Sequence, residues 1–400
     1  MDIELFLQML QIDSTSGKEG EFAAFLAERL LTEKCRLERF PVESIRNACP
    51  EGCPLPENLL FSWGTPKVIF CTHLDTVPPY ISPEVCHPAP SHCHPAPSHC
   101  HPEPSHCHPE RSEGSFNSVI YGRGTCDAKG QIFAMYQACL ELEKQGYTDF
   151  GLLLLAGEET GSFGAKAFNQ ISGQVSSDEI RLVVGEPTDN CMASAAKGTK
   201  SFEIEFEGEA FHSGYPEHGR SAVMMFNDFV NALRSIGFPS DPVLGETTWN
   251  IGKLHSDNPQ NILSDRLTCR VYFRTTFESD EMVCNVMKNI AGPQARLRFG
   301  RPRVQDGSDI VAKDVADWQR YMKVTAFGGD APTRFEVLEG FPVKPVSFGS
   351  DAPQLTAFRH KILCGPGSIL VAHRDDEHIT LQELETAVQN YMNIYKLVVE

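Results

Sequence analysis

Five acidic residues and two histidines stand where apolar runs stop or turn. "KVIFCTHLD" ends in His73 and Asp75, "FGLLLLAGEE" ends in Glu158 and Glu159, and "RLVVGEP" ends in Glu186. Asp127 lies in "GRGTCDAKG", between a glycine-rich turn and a helical stretch, and His373 precedes the acidic loop of "GPGSILVAHRDDEHI". Each has a plain reading on its own. Asp127 reads as a helix N-cap, the Glu158–Glu159 pair as a solvated loop, and His373 as a structural histidine. Together, two imidazoles and several carboxylates suit two divalent ions bridged by one carboxylate, with a water between them. The mixed nitrogen and oxygen donor set favours zinc, with cobalt as its substitute. Magnesium or calcium would draw on oxygen ligands alone.

A second set of metal-seeking side chains competes with the first. Residues 87–107 read HPAPSHC, HPAPSHC, HPEPSHC. Thiolates and imidazoles at this density bind zinc or copper, but the CxxC and HxxxH spacings of structural zinc sites are absent. Regular proline blocks helix and interior strand alike. The segment 82–118 therefore reads as a low-complexity loop, although a non-catalytic His/Cys-rich metal-binding protein stands as the alternative of another class.

The elements that must position these residues follow from hydrophobic periodicity. Near-continuous apolar strands alternate with helical patterns such as "KGQIFAMYQACLELEKQGY". That alternation predicts a largely parallel sheet with helices on both faces. Functional residues in such sheets gather beyond the strand carboxyl ends, where these acids and His73 lie. From Lys197 the pattern changes to alternating apolar and polar residues: "KSFEIEFEGEAF", "TTWNIGKLHS", "LTCRVYFRTT" and "ARLRFGRPRVQ", with helical stretches between. A β-α-β-β-α-β order predicts an inserted ferredoxin-like α+β domain. The expected organisation is a catalytic domain in two parts, 1–196 and 307–400, around an insert at 197–306.

Composition narrows the class further. The formal charge of −18 offers no basic face for nucleic acid or an anionic membrane. No apolar run approaches the roughly 20 residues a bilayer span requires, and the N-terminus has no basic n-region or cleavage signal. A cytoplasmic protein is expected, its 14 cysteines free thiols, mostly buried.

The ordered motifs "HLDTVP", "GRGTCDAKG", "GEETGS", "GEPT", "FHSGYPEHGRSA", "FGSDAP", "GPGS" and "AHRDDE" resemble the M20 family of dinuclear metallohydrolases, over nearly the whole chain except the repeat. The resemblance implies that Asp127 bridges both metals, that His73 and Glu186 complete one site, and that Glu159 and His373 complete the other. It implies that Asp75 orients His73, that Glu158 is the general base, and that the peptide between Asp127 and Ala128 is cis. It implies further that the insert is a lid through which the protein forms a homodimer, with His212 reaching the partner's oxyanion. Asn261, Arg274, Gly349 and Gly367 are implied to touch the substrate. Cys126 before the bridging aspartate and the "AHRDDE" loop are similar to acetylornithine deacetylases, although Asp375 stands where their loop has proline. The expected substrate is a small N-acyl amino acid, N-acetyl- or N-succinylornithine of arginine biosynthesis. Succinyl-diaminopimelate desuccinylase, dipeptidase and aminoacylase activities are the alternatives.

Overall fold

The structure is a computed structural model that describes residues 1–86, 118–171, 179–291 and 317–399. Two compact units divide the chain. The first comprises Met1–Ser194, Phe335–Lys344 and Ser350–Glu400; the second comprises Ala195–Arg334 and Pro345–Gly349.

The first unit is built on a six-stranded mixed sheet, in the order Arg36–Pro41, Glu57–Trp63, Phe150–Leu155, Val68–His73, Arg181–Val184, His360–Leu363. The last four run parallel, and the first two are antiparallel additions at one edge. Every residue of Val68–His73 and Phe150–Leu155 is buried, so both faces of the sheet centre are covered, as their unbroken apolar sequence requires. The helix Lys129–Lys144 packs on these two strands and on the C-terminal helix Leu381–Val399, while Glu19–Arg29 and Phe163–Ile171 pack on Glu57–Trp63. Side chains such as Leu152 and Leu154, wholly buried here, each contribute about 1.5–3 kcal/mol by leaving water.

The second unit carries a four-stranded antiparallel sheet in the order Thr248–His255, Arg266–Thr275, Gly198–Glu207, Met322–Ala326. Helices Ala222–Ser235 and Asp280–Ala291 pack on it. Burial alternates along Arg266–Thr275, the signature of a sheet covered on one face. With two strands flanked by the other two and a helix after the first and third, this is the expected ferredoxin-like arrangement. The stretch 295–305, expected as its fourth strand, lies outside the described residues; among those described, Met322–Ala326 pairs beside Gly198–Glu207. The sequence reading ended the insert at 306, whereas the compact unit runs on to Arg334. Five residues of moderate polarity, "MKVTA", carry too weak an alternation to mark a strand without a partner.

The heptad repeat also lies outside the described residues. Its flanks are described: Glu84–Cys86 pairs with Val119–Tyr121, Cys86 opposite Val119. No helix among the described residues is long and apolar enough to cross a membrane. All eleven described cysteines are free, and five of them are buried.

Candidate metal centre

Parallel pairing brings three strand ends to one edge. His73 is the last residue of its strand and pairs with Leu155, so Glu158 and Glu159 emerge beside it. Glu186 follows the strand Arg181–Val184 on its other side. Asp127 arrives from a different direction, at the foot of the helix Lys129–Lys144. It is not the N-cap: that position is Ala128, which makes no side-chain capping bond. The helix start closes tightly over the turn before it, because a Cβ on Gly130 would lie 2.2 Å from the Thr125 carbonyl oxygen. The Asp127–Ala128 peptide is cis, as the resemblance implied.

The side chains then converge. The Oδ1 of Asp127 lies 3.0 Å from His73 Nε2, and its Oδ2 lies 3.2 Å from His373 Nε2. His373 Nε2 is also 2.9 Å from Glu159 Oε1. Donor atoms of His73, Asp127 and Glu186 fall within 4.8 Å of one another, as do those of Asp127, Glu159 and His373. The two triads share Asp127. A third set within the same distance is His73, Glu158 and Glu159.

Asp75 is buried and holds this edge together. Its Oδ1 accepts the Glu158 N–H at 2.9 Å, and its Oδ2 accepts the Glu159 N–H at 3.1 Å and the Ser16 hydroxyl at 2.9 Å. His73 Nδ1 lies 2.9 Å from the Asp75 carbonyl oxygen. With Nδ1–H directed there, a cation that displaced the Nε2 proton now shared with Asp127 would find a lone-pair nitrogen already aimed at it, the tautomer a metal ligand needs.

Electrostatics match a site for cations. Four carboxylates, Asp127, Glu158, Glu159 and Glu186, surround two imidazoles. Burial, then the charges of Glu186, Asp351 and Glu159, push the Glu158 carboxyl well up, against the pull of His73. Burial and the charge of Asp127, Asp351 and Glu159 do the same to Glu186, again opposed by His73. Burial would raise Asp127 too, but hydrogen bonds from His373 and His73 bring it below the usual carboxylate range. Those bonds, first from Asp127 and then from Glu159, push His373 up to about 10. Carboxylates crowded until they resist ionising are relieved by divalent charge, and imidazole with carboxylate is the donor set of zinc-type ions.

The comparisons fit this geometry. Residues 69–396 match the model of peptidase family M20/M25/M40. The chain belongs to that family. It is 30% identical, over 98% of its length and 88% of the other's, to a protein of Aspergillus niger named "Probable carboxypeptidase". Among solved structures, a tripeptidase of Staphylococcus aureus superposes with a TM-score of 0.71 at 18% identity, covering 99% of this chain and 97% of that one. An M20 family metallo-carboxypeptidase of Sulfolobus solfataricus gives 0.65 at 16% identity, covering 100% and 99%. As an M20 member the chain is a hydrolase of amide or peptide C–N bonds.

The other residues implied by the M20 resemblance fall in two places. Gly367 is in the first unit, with φ +75°, where a Cβ would meet that of Cys126 at 2.4 Å. His212, Asn261, Arg274 and Gly349 are in the second unit. His212 and Asn261 are exposed neighbours: His212 bridges to Ile262, and Ser213 N–H donates to the Asn261 carbonyl oxygen at 2.9 Å. His212 Nδ1 accepts the Gly214 N–H at 3.0 Å, leaving Nε2 for other contacts. Arg274 sits on the strand Arg266–Thr275, its guanidinium carbon 5.1 Å from the Tyr272 ring centroid. A Cβ on Gly349 would lie 3.8 Å from Arg274 Nη1.

Sequence reasoning missed Ser16, Arg123 and Glu377. Glu377 was visible only as one acid in the run "DDEH", and Arg123 as one base in a glycine turn. Nothing in their spacing says that both are buried.

Proposed function

We propose that this chain is a two-metal hydrolase that frees an amino acid bearing its α-carboxylate from an acyl or peptidyl group. The observation that carries the reading is the pair of donor triads sharing Asp127. Asp127 would bridge, His73 and Glu186 would complete one position, and Glu159 and His373 the other. Two divalent cations, bound there, supply an acidified water and a polarised scissile carbonyl. Asp75 holds the His73 tautomer and, through two backbone bonds, the loop of Glu158 and Glu159. Glu158 takes the proton of the attacking water, whose oxygen bonds to the carbonyl carbon. As the C–N bond breaks, Glu158 returns that proton to the leaving amine.

The lid residues complete the reading. His212 supplies a donor to the developing oxyanion of a partner subunit, and Asn261 and Gly349, like Gly367 of the first unit, are substrate contacts that the M20 resemblance implies. The fork of Arg274 clamps a substrate carboxylate in two contacts. The protein is then a dimer through the second unit. Mixing Glu158→Ala with His212→Ala chains restores activity in the heterodimer, which holds one site with both groups intact. Proven heterodimers without any recovery rule out the trans role.

Two substrate classes share this bond. Cys126 and the "AHRDDE" loop support N-acetyl- or N-succinylornithine, and the name of the Aspergillus niger relative supports peptides with a free C-terminus. A hydrolysis panel decides. It contains N-acetylornithine, N-succinylornithine, N-acetyl-lysine, N-succinyl-diaminopimelate and blocked dipeptides, each beside its carboxamide. Every accepted substrate loses at least tenfold in kcat/KM as the carboxamide. Equal rates on acid and amide remove the carboxylate requirement.

A further inference from the structure

Behind the converging donors lies a buried ion pair that no step above uses. Arg123 Nη1 meets Glu377 Oε2 at 2.6 Å, and both side chains are 1% exposed or less. Such a pair persists only where the surrounding groups meet its remaining hydrogen-bonding capacity, and here those groups are the backbones of three loops. Glu377 Oε1 accepts the N–H of Gly124 at 2.9 Å and those of Cys126 and Asp127 at 3.2 Å each. Successive amides turned inward form an anion-binding nest, and the carboxylate of Glu377 fills it. The guanidinium reaches the other two loops: Nε donates to the Pro79 carbonyl oxygen at 3.2 Å, and Nη1 to that of Arg374 at 3.1 Å. Pro79 lies in the loop between His73 and the strand Glu84–Cys86, and Arg374 follows His373. The Arg123 N–H adds a bond to the Ile81 carbonyl oxygen at 3.0 Å, and the Gly122 N–H one to that of Glu377 at 3.0 Å.

We infer that Arg123 and Glu377 are positioning residues that set the spacing of the loops carrying His73, Asp127 and His373, and with it the separation of the two metal positions. The inference rests on the two-metal reading. Both oxygens of Glu377 are engaged, one by the nest and one by Arg123, so it acts through the backbone of Asp127 and not as a ligand. The two triads coincide only at the Asp127 carboxylate, so a shift of its backbone misplaces donors for both positions at once.

The test uses the full-length protein. Zn(II) is titrated against a chromophoric competitor, and the visible bands of the Co(II)-loaded form report ligand geometry. Wild type holds two ions. Glu377→Gln keeps the shape but removes the charge from the nest and from Arg123. It should fold, by far-UV circular dichroism, yet bind both ions about 10–100-fold more weakly, with altered Co(II) bands. A folded Glu377→Gln protein with wild-type affinity for both ions and unchanged bands overturns the inference. If that variant fails to fold, Arg123→Lys decides by the same readout: it retains the charge but loses the fork that spans Pro79 and Arg374. Weakened binding with altered bands supports the inference, and wild-type behaviour overturns it. Wild-type protein that holds fewer than two ions sinks the two-metal reading itself, and this inference with it.

Discussion

The two donor triads share Asp127 but are built differently. On one side His73 is 2% exposed, its strand is fully buried, and Asp75 fixes its ring from behind. On the other side His373 is 48% exposed and sits on a loop, with φ +65°, a conformation uncommon outside glycine. One half is a rigid product of the sheet. The other depends on loops held from beneath. A ligand locked by burial and a fixed tautomer loses little freedom on binding a cation. An exposed one on a loop must be ordered, and water reaches it readily.

The contrast can be broken most severely at its shared member. Asp127→Ala should empty both positions and reduce activity to background, read by metal analysis after gel filtration. Retention of one tightly held ion would show that the halves are independent and that Asp127 does not bridge them.

Glu158 and Glu159 sharpen the picture next. General-base catalysis contributes about 10²–10⁴-fold, and the same group serves the leaving amine. Glu158→Gln should therefore lower kcat at or beyond the upper end of that range, with KM and metal content near wild type. Glu159→Gln should lose one ion, from the His373 side, and activity with it. The reverse pattern of metal loss would exchange the two roles.

The loop of the two glutamates should also answer to its anchor. Asp75→Ala keeps the backbone carbonyl that meets His73 but removes the carboxylate that holds the Glu158 and Glu159 amides, so it should weaken zinc binding about 10–100-fold, mainly at the Glu159 position. In wild type, dialysis against a chelator should remove the two ions in two phases, the His373 side first. A single phase would erase the proposed difference between the halves. The smallest effect should come from the repeat. Cys86 lies opposite Val119, so residues 87–117 can be replaced by a short glycine-rich turn that joins paired strand ends. Activity and ion content should stay within about twofold, since long surface insertions alter loop-closure entropy only slowly with length. Collapse of either would return the repeat to the mechanism.

What the sequence by itself determined is the fold class and the polar residues that the strand ends of the first unit bring together. Uninterrupted apolar runs require burial on both faces, that burial implies a parallel sheet, and polar residues at the ends of such runs can only emerge at one edge. The motif order named the family on the same residues. Only the tertiary structure decided the rest. Whether Asp127 capped a helix or faced two histidines depended on a strand end 54 positions away and a loop 246 positions away in the chain. Met322–Ala326 became a strand because Gly198–Glu207 offered it an edge, which its own residues do not announce. Arg123 and Glu377, in sequence two ordinary charges, are buried against each other. A charge carries no mark of its burial, which is decided by the partners that other parts of the chain bring to it.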